Sequence, residues 1–243
     1  MARLSPELIR NIRVNDSSSW KNKVFLTFDF DWACNEVIMH TVTILEQYRI
    51  KATFFCTHKT SLLNRLIGNP LFDVGIHPDF NFLLEKRHYQ NKSVQSVVKD
   101  LLKMVPNSTV VRSHSLLQST RLSDLFAVYK LRFECNTYIP YSSGIDLKPY
   151  TVSNIVKVPH CWEDDLFLCG DSKWDIDDIL NSKGIKVFDF HPIHIYLNTE
   201  KIERYERIKN RQHDIESLSR NIHAGKKLKG TKDYLLELIK PLL

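Results

Sequence analysis

The residues of this sequence that could do chemistry recur at one kind of place, just after a short apolar run. Asp29 and Asp31 follow the run 24–28, His58 follows 52–56, and His77 follows 72–76. Arg112 and His114 follow 109–111, Asn136 follows 131–135, and Trp162, Glu163, Asp164 and Asp165 come after 154–158. His191 and His194 close the series after 185–189. Carboxylate and imidazole groups accept and donate protons, and imidazole does so near neutral pH. Polar residues end many strands, because loops are polar. Aspartate, histidine, arginine and histidine again, each in the same position, nevertheless mark a site.

The runs themselves read as strands, rich in Val, Ile and Phe. Between them, 35–48 places Ile38, Val42 and Leu45 on one helical face. Residues 92–105 form the clearest amphipathic helix, with Val94, Val97, Val98, Leu101 and Leu102 in helical register. Further helices are expected at about 121–130 and 174–182, and at 200–220 and 231–240. Strand–helix alternation implies a parallel sheet. Seven strands without a linker-like break predict one α/β domain over 1–243, more barrel than open sheet. The C-terminal strand ends of such a barrel share one face, where side chains distant in sequence converge. Asp29 and Asp31, two apart on an extended chain, would face the same side. Pro192, between His191 and His194, predicts a bent loop.

Composition removes several classes of function. The 243 residues include only seven glycines, in neither a GxGxxG nor a GxxxxGK[ST] arrangement, so the usual phosphate-cradling loops are missing. The formal charge of +6 is not spread evenly. Residues 201–232 hold ten Lys and Arg against four Asp and Glu, while the first 200 residues are close to neutral. Such Glu–Arg alternation suits a solvated helix face. It also suits peripheral contact with an acidic glycan or headgroup surface. No aromatic interleaving or motif supports a nucleic-acid partner. Five cysteines without a CxxC, and no visible secretory leader, suggest free thiols in a reducing cytoplasm. No apolar run approaches the ~18 residues of a membrane span.

The order Thr27-Phe-Asp29-Phe-Asp31-Trp, Ala52-Thr-Phe-Phe, Gly75-Ile-His77, Arg112, His191 resembles the polysaccharide deacetylase (NodB-homology) superfamily of carbohydrate esterases. The resemblance runs in order over about 23–195, leaving 200–243 as a basic helical appendage. The segments 77–81, 111–118 and 190–194 resemble a divergent branch found in lipopolysaccharide O-antigen biosynthesis. The family implies a distorted (β/α)7 barrel and a metal-dependent hydrolase that removes acyl groups from amino sugars, with a carbohydrate substrate. It implies Asp29 as general base, Arg112 as the group orienting it, and His191 as proton donor to the leaving amine. Asp31 and His77 would hold a divalent cation, zinc by preference. Trp162, Glu163 and Asp164 would line the substrate wall, with Glu163 or Asp164 pairing Arg112 and His194 in reserve.

Two departures matter. The family's second metal-binding histidine, four residues after the first, is here Asn81, an unusual ligand for zinc. Three explanations stay open: Asn81 binds weakly or through water, His114 or His58 enters in its place, or the metal has been lost. The third motif continues Ser113-His114-Ser115 rather than with Pro and an aromatic, which unsettles the oxyanion hole. The rival reading from another class keeps the barrel as a carbohydrate-binding or regulatory protein with impaired catalysis.

Overall fold

The computed structural model describes residues 3–84, 92–170, 174–225 and 227–243. Met1 and Ala2 of the leader reading and Lys226 of the basic segment lie outside them. The centre is one curled sheet. In chain order its strands are β1 (Ser5–Pro6), β2 (Lys23–Asp29), β3 (Ala52–Cys56), β4 (Phe72–Ile76) and β5 (Val110–Val111). There follow β6 (Phe133–Glu134), β7 (Tyr150–Val152), β8 (Ile155–Lys157), β9 (Trp162–Glu163) and β10 (Lys186–Phe190). Across the sheet the order is β7-β8-β6-β5-β4-β3-β2-β10-β9, with β1 beside β2. Among the described residues every pairing is parallel except the β7–β8 hairpin.

All seven runs read as strands are strands (β2, β3, β4, β5, β6, β8 and β10), and the sheet curls into a half-barrel of the distorted (β/α)7 kind. The central strands β3, β4 and β10 are buried along their whole length. Parallel strands covered on both faces require such unbroken apolar runs. Between β8 and β9 the rim is drawn together by backbone bonds of a connecting segment. Ile139 N–H donates to His160 O at 3.0 Å, His160 N–H to Thr137 O at 2.9 Å, and Cys161 N–H to Val187 O at 2.9 Å.

Helices cover the outside. The inner face of α1 (Asn35–Gln47) buries Val37, Ile38, Thr41, Val42 and Leu45. After α2 (Leu63–Gly68), α3 (Val94–Met104) opens with a reciprocal cap between Ser93 and Ser96 and buries Val98 and Leu101. Then come α4 (Thr120–Val128), α5 (Asp164–Leu168) and α6 (Ile176–Asn181). Two expectations need correction. Pro192 does not bend a loop but starts α7 (Pro192–Leu197) at its first position, where a missing N–H costs nothing. Residues 200–220 are not one helix but α8 (Ile202–Glu206), a 3₁₀ turn Lys209–Arg211, and α9 (Ile215–Arg220). The break follows from Asp214, whose carboxylate accepts the Ser217 N–H and so caps a new helix.

The appendage is tied to the barrel through Asn198. This residue ends α7 in the left-handed region (φ 49°), and its Oδ1 accepts the Lys232 and Asp233 N–H groups opening α10 (Thr231–Ile239). On β4, Gly75 leaves room for the Phe55 ring: a Cβ there would lie 2.8 Å from that ring and from Val110 O. Gly75→Ala should therefore strain the sheet directly beneath the site and cost about 1–3 kcal/mol. A thermal melt should show the midpoint falling by roughly 2–4 °C per kcal/mol; an unchanged midpoint would contradict this packing.

Candidate active site

Strand β2 delivers Asp29 and ends there. The chain is then pinned, Phe30 N–H to Phe55 O at 3.1 Å and Ala33 N–H to Phe30 O at 2.8 Å. Between these bonds Asp31 (φ 42°) and Trp32 (φ 59°) both adopt left-handed backbone. Asp31 thus reaches the same side as Asp29 through a tight turn, not through the strand alternation expected from the spacing. Such conformations cost about 1–3 kcal/mol each in non-glycine residues and gather at functional sites.

At this turn three donor atoms meet. Asp31 Oδ1 lies 3.2 Å from His77 Nε2 and 3.3 Å from His114 Nδ1. That oxygen is buried and has no partner with hydrogen-bond geometry. One carboxylate oxygen and two imidazole nitrogens within 4.8 Å of one another could hold a divalent cation. Burial alone would raise the Asp31 carboxyl, but the two imidazoles and the His191 charge hold it well below the usual range. Of the candidates for the third position, His114 is the one brought to Asp31 and His77. Asn81 turns its amide to Ser115 Oγ at 3.1 Å, and His58 bonds Thr57 at 2.8 Å outside the cluster. The loop carrying His114 is held by its own N–H to Pro78 O at 3.0 Å and by left-handed Ser115 and Leu116.

Beside the cluster Arg112 is wholly buried, with its guanidinium over the Phe55 ring at 4.5 Å. Its Nη1 donates to Asp29 Oδ1 at 2.9 Å, to Thr27 Oγ1 at 3.0 Å, and to Asp189 Oδ1. The other oxygen of Asp29 lies 3.4 Å from His77 Nε2. Arg112 therefore pairs Asp29 and Asp189, not Glu163 or Asp164. Burial pushes the Asp189 carboxyl well above its ordinary range against the pull of Arg112. Sequence reasoning missed Asp189, although an aspartate inside the apolar run of β10 was the available signal.

Opposite stands His191. Its Nδ1 donates to Asp164 Oδ1 at 2.7 Å, and its backbone N–H to Asp164 Oδ2 at 2.8 Å. Its Nε2 faces Asp31 Oδ2 at 3.5 Å and Asp165 Oδ2 at 3.9 Å. Burial would lower this imidazole, but Asp165 and Asp164 raise it well above the ordinary value. His194 is buried and donates through Nε2 to Asp165 Oδ1 at 2.6 Å while Nδ1 accepts from Thr199 at 3.1 Å. It braces Asp165 and has no surface for substrate. Asp165, its side chain 44% exposed, is the acid that faces the opening.

The remaining wall residues fall elsewhere. Trp162 is 0% exposed, packed against Phe190 at 4.9 Å and Trp174 at 5.0 Å, so it offers no face to a sugar. Glu163 accepts from buried His160 Nε2 at 3.0 Å. The aromatic ring at the opening is instead Trp32, half-buried, with its edge contact to His114 at 5.0 Å between ring centres. Behind the His114 loop, Asn136 Oδ1 accepts the Ser113 N–H at 2.7 Å, and Asn136 Nδ2 bonds Glu134 at 3.2 Å. Glu134 in turn pairs Lys157 at 2.6 Å, so a buried polar network fixes the loop from behind.

The arrangement joins a cation-competent triad, a carboxylate fixed by an arginine, and a charged imidazole on the far side. That combination suits hydrolysis of an acyl bond. The model of the WbmS-like polysaccharide deacetylase family matches residues 26–209. A solved structure from Bordetella bronchiseptica, provisionally assigned as a polysaccharide deacetylase involved in O-antigen biosynthesis (WbmS), is 36% identical. It aligns over 99% of this chain and 98% of its own, with a TM-score of 0.91. A second, from Mycobacterium smegmatis and of the same provisional assignment, is 12% identical over 78% of this chain and 82% of its own, with a TM-score of 0.47. No curated protein matches.

Proposed function

The chain belongs to the WbmS-like polysaccharide deacetylase family, and from that premise we propose that it hydrolyses an N-acyl group, acetyl first, from an amino sugar or glycan of O-antigen biosynthesis. The observation that carries the reading is the placement of Asp29. One of its oxygens is held by Arg112 at 2.9 Å, and the carboxylate lies beside the Asp31–His77–His114 triad. Those three residues would hold a divalent cation, with zinc favoured by the O,N,N donor set and the orphaned Asp31 oxygen. Bound there, the cation would polarise the acyl carbonyl and acidify water.

The other steps belong to the chain. Asp29 takes a proton from the attacking water while Arg112 fixes the orientation of its carboxylate. The carbonyl carbon gains the hydroxyl and the C–N bond breaks. His191, its Nδ1 held by Asp164, gives a proton from Nε2 to the departing amine. The products are a carboxylate and an amino sugar. The N–H groups of Ser113 and His114 are already donated to Asn136 and Pro78, so neither serves the oxyanion. No helix among the described residues is long and apolar enough to cross a membrane. The five cysteines, none of them in a CxxC, support a reducing, cytoplasmic setting, and the Asn198–α10 contacts support reading 1–243 as one unit.

Acetate release from N-acetylglucosamine oligomers and UDP-N-acetylglucosamine, followed by NMR, tests this reading. Dipicolinate should lower the rate more than about 100-fold, and added zinc should restore it. No acyl release from these substrates by the metal-loaded chain, together with saturable binding of them, would instead support a carbohydrate-binding protein.

A further inference from the structure

The turn that carries Asp31 makes a demand at the next position that tryptophan meets only under strain. Trp32 sits at φ 59°, a conformation that glycine takes freely and a bulky side chain does not. Its N–H is donated to Thr57 Oγ1 at 3.2 Å, which holds the backbone there. The placing of Asp31 needs that backbone and nothing more, so an indole at position 32 is kept for its ring. Trp20 and Trp162 are buried in the core. The Trp32 ring is instead half-buried at the opening, 5.0 Å from the His114 ring between centres.

Two clefts meet at this ring, and among the described residues Trp32 alone lines both. The smaller, about 240 Å³, reaches His77 of the triad and has Val97, Leu101 and Met104 of α3 as its apolar side. The larger, about 460 Å³, includes no residue of the triad; Glu36, His58, Gln212 and His213 line it. A carboxylate, an amide and two imidazoles offer both donors and acceptors, which is what a ring of hydroxyl groups requires. Sugar-binding sites join such groups to an aromatic surface, on which the C–H face of a sugar packs as apolar area. A substrate of one sugar would occupy the cleft at His77 and leave the larger, more polar one without a use.

We propose that Trp32 is the platform that selects a glycan of at least two sugars. The acylated ring lies at the triad, in the cleft of His77. The neighbouring ring crosses the indole into the cleft of Glu36, His58, Gln212 and His213. The position of the acylated ring rests on the deacetylase reading above; the contact of a second sugar with Trp32 does not.

Calorimetric titration of the full-length Asp29→Asn chain, with zinc added, against N-acetylglucosamine and N,N′-diacetylchitobiose tests the proposal without consuming the ligand. The disaccharide should bind about tenfold more tightly than the monosaccharide. Adding Trp32→Gly, which suits the left-handed backbone, should erase that gain. Glu36→Ala together with His213→Ala changes two exposed positions outside the triad and should remove most of it. Equal binding of the two sugars, binding of neither, or a gain that survives these changes overturns the proposal. Should Trp32→Gly lose its cation through the contact with His114, the Glu36/His213 variant decides. A gain kept there makes Trp32 a brace for His114 and overturns the proposal, and a gain lost there upholds it. Acyl release by wild type without a disaccharide preference would refute this inference alone. A Trp32-dependent preference, with no acyl release by the wild-type chain, would refute the deacetylase reading alone.

Discussion

Asp29→Asn is expected to lower the turnover number by roughly 10³- to 10⁴-fold while leaving the chain folded. The amide has the volume of the carboxylate and can still accept the Arg112 hydrogen bond now made at 2.9 Å, but it cannot take a proton from water. Arg112 keeps a second partner in Asp189, so the buried guanidinium is not stranded. Asp29→Ala should lose the same activity and also cost stability, because it empties a place beside a fully buried cation. Comparing initial rates of acyl release with thermal melts of both variants separates the two effects. Full activity in Asp29→Asn would sink the assignment of the base.

The second large effect concerns the metal. His114→Ala is expected to weaken cation binding by more than about 100-fold, whereas Asn81→Ala should leave it nearly intact. The reason is positional. His114 Nδ1 and His77 Nε2 stand 3.3 and 3.2 Å from the same Asp31 oxygen, while the Asn81 amide is engaged by Ser115. Elemental analysis of gently purified protein should find about one divalent ion per chain in wild type and in Asn81→Ala. It should find far less in His114→Ala. The opposite result would return the third position to Asn81. Asp31→Asn gives an independent check, since it removes the only carboxylate of the triad.

Much of this site was legible before any coordinates. The apolar runs were unbroken because strands buried on both faces must be, so their ends, and the acids and imidazoles at those ends, could be read directly. Arg112 was legible as the partner of Asp29, and the resemblance singled out Asp29 and His191. The misreadings have specific causes. Trp162 was placed on the substrate wall, but β9 adds to the sheet beside β10 and takes the ring into the core with it. His194 was held in reserve for the substrate and Pro192 read as bending a loop; the proline instead begins a helix that buries the histidine. The region 200–220 has helical composition throughout, yet the Asp214 cap divides it.

Sequence by itself therefore determined the strands and which acids and imidazoles stand at their ends, because hydrophobic periodicity and strand-end residue types are local properties of the chain. Tertiary structure alone decided three matters. His114, not Asn81 or His58, completes the triad, because that choice depends on how the loop after β5 folds over β4. Asp189, inside β10, shares Arg112 with Asp29 because parallel pairing sets Asp189 beside Thr27 and packs Arg112 between them. The third concerns the basic segment, where Tyr205 packs on His194 and Gln212 and His213 line a cleft with Trp32. Each is a contact between residues far apart in the chain, and no periodicity within a run encodes how such residues meet.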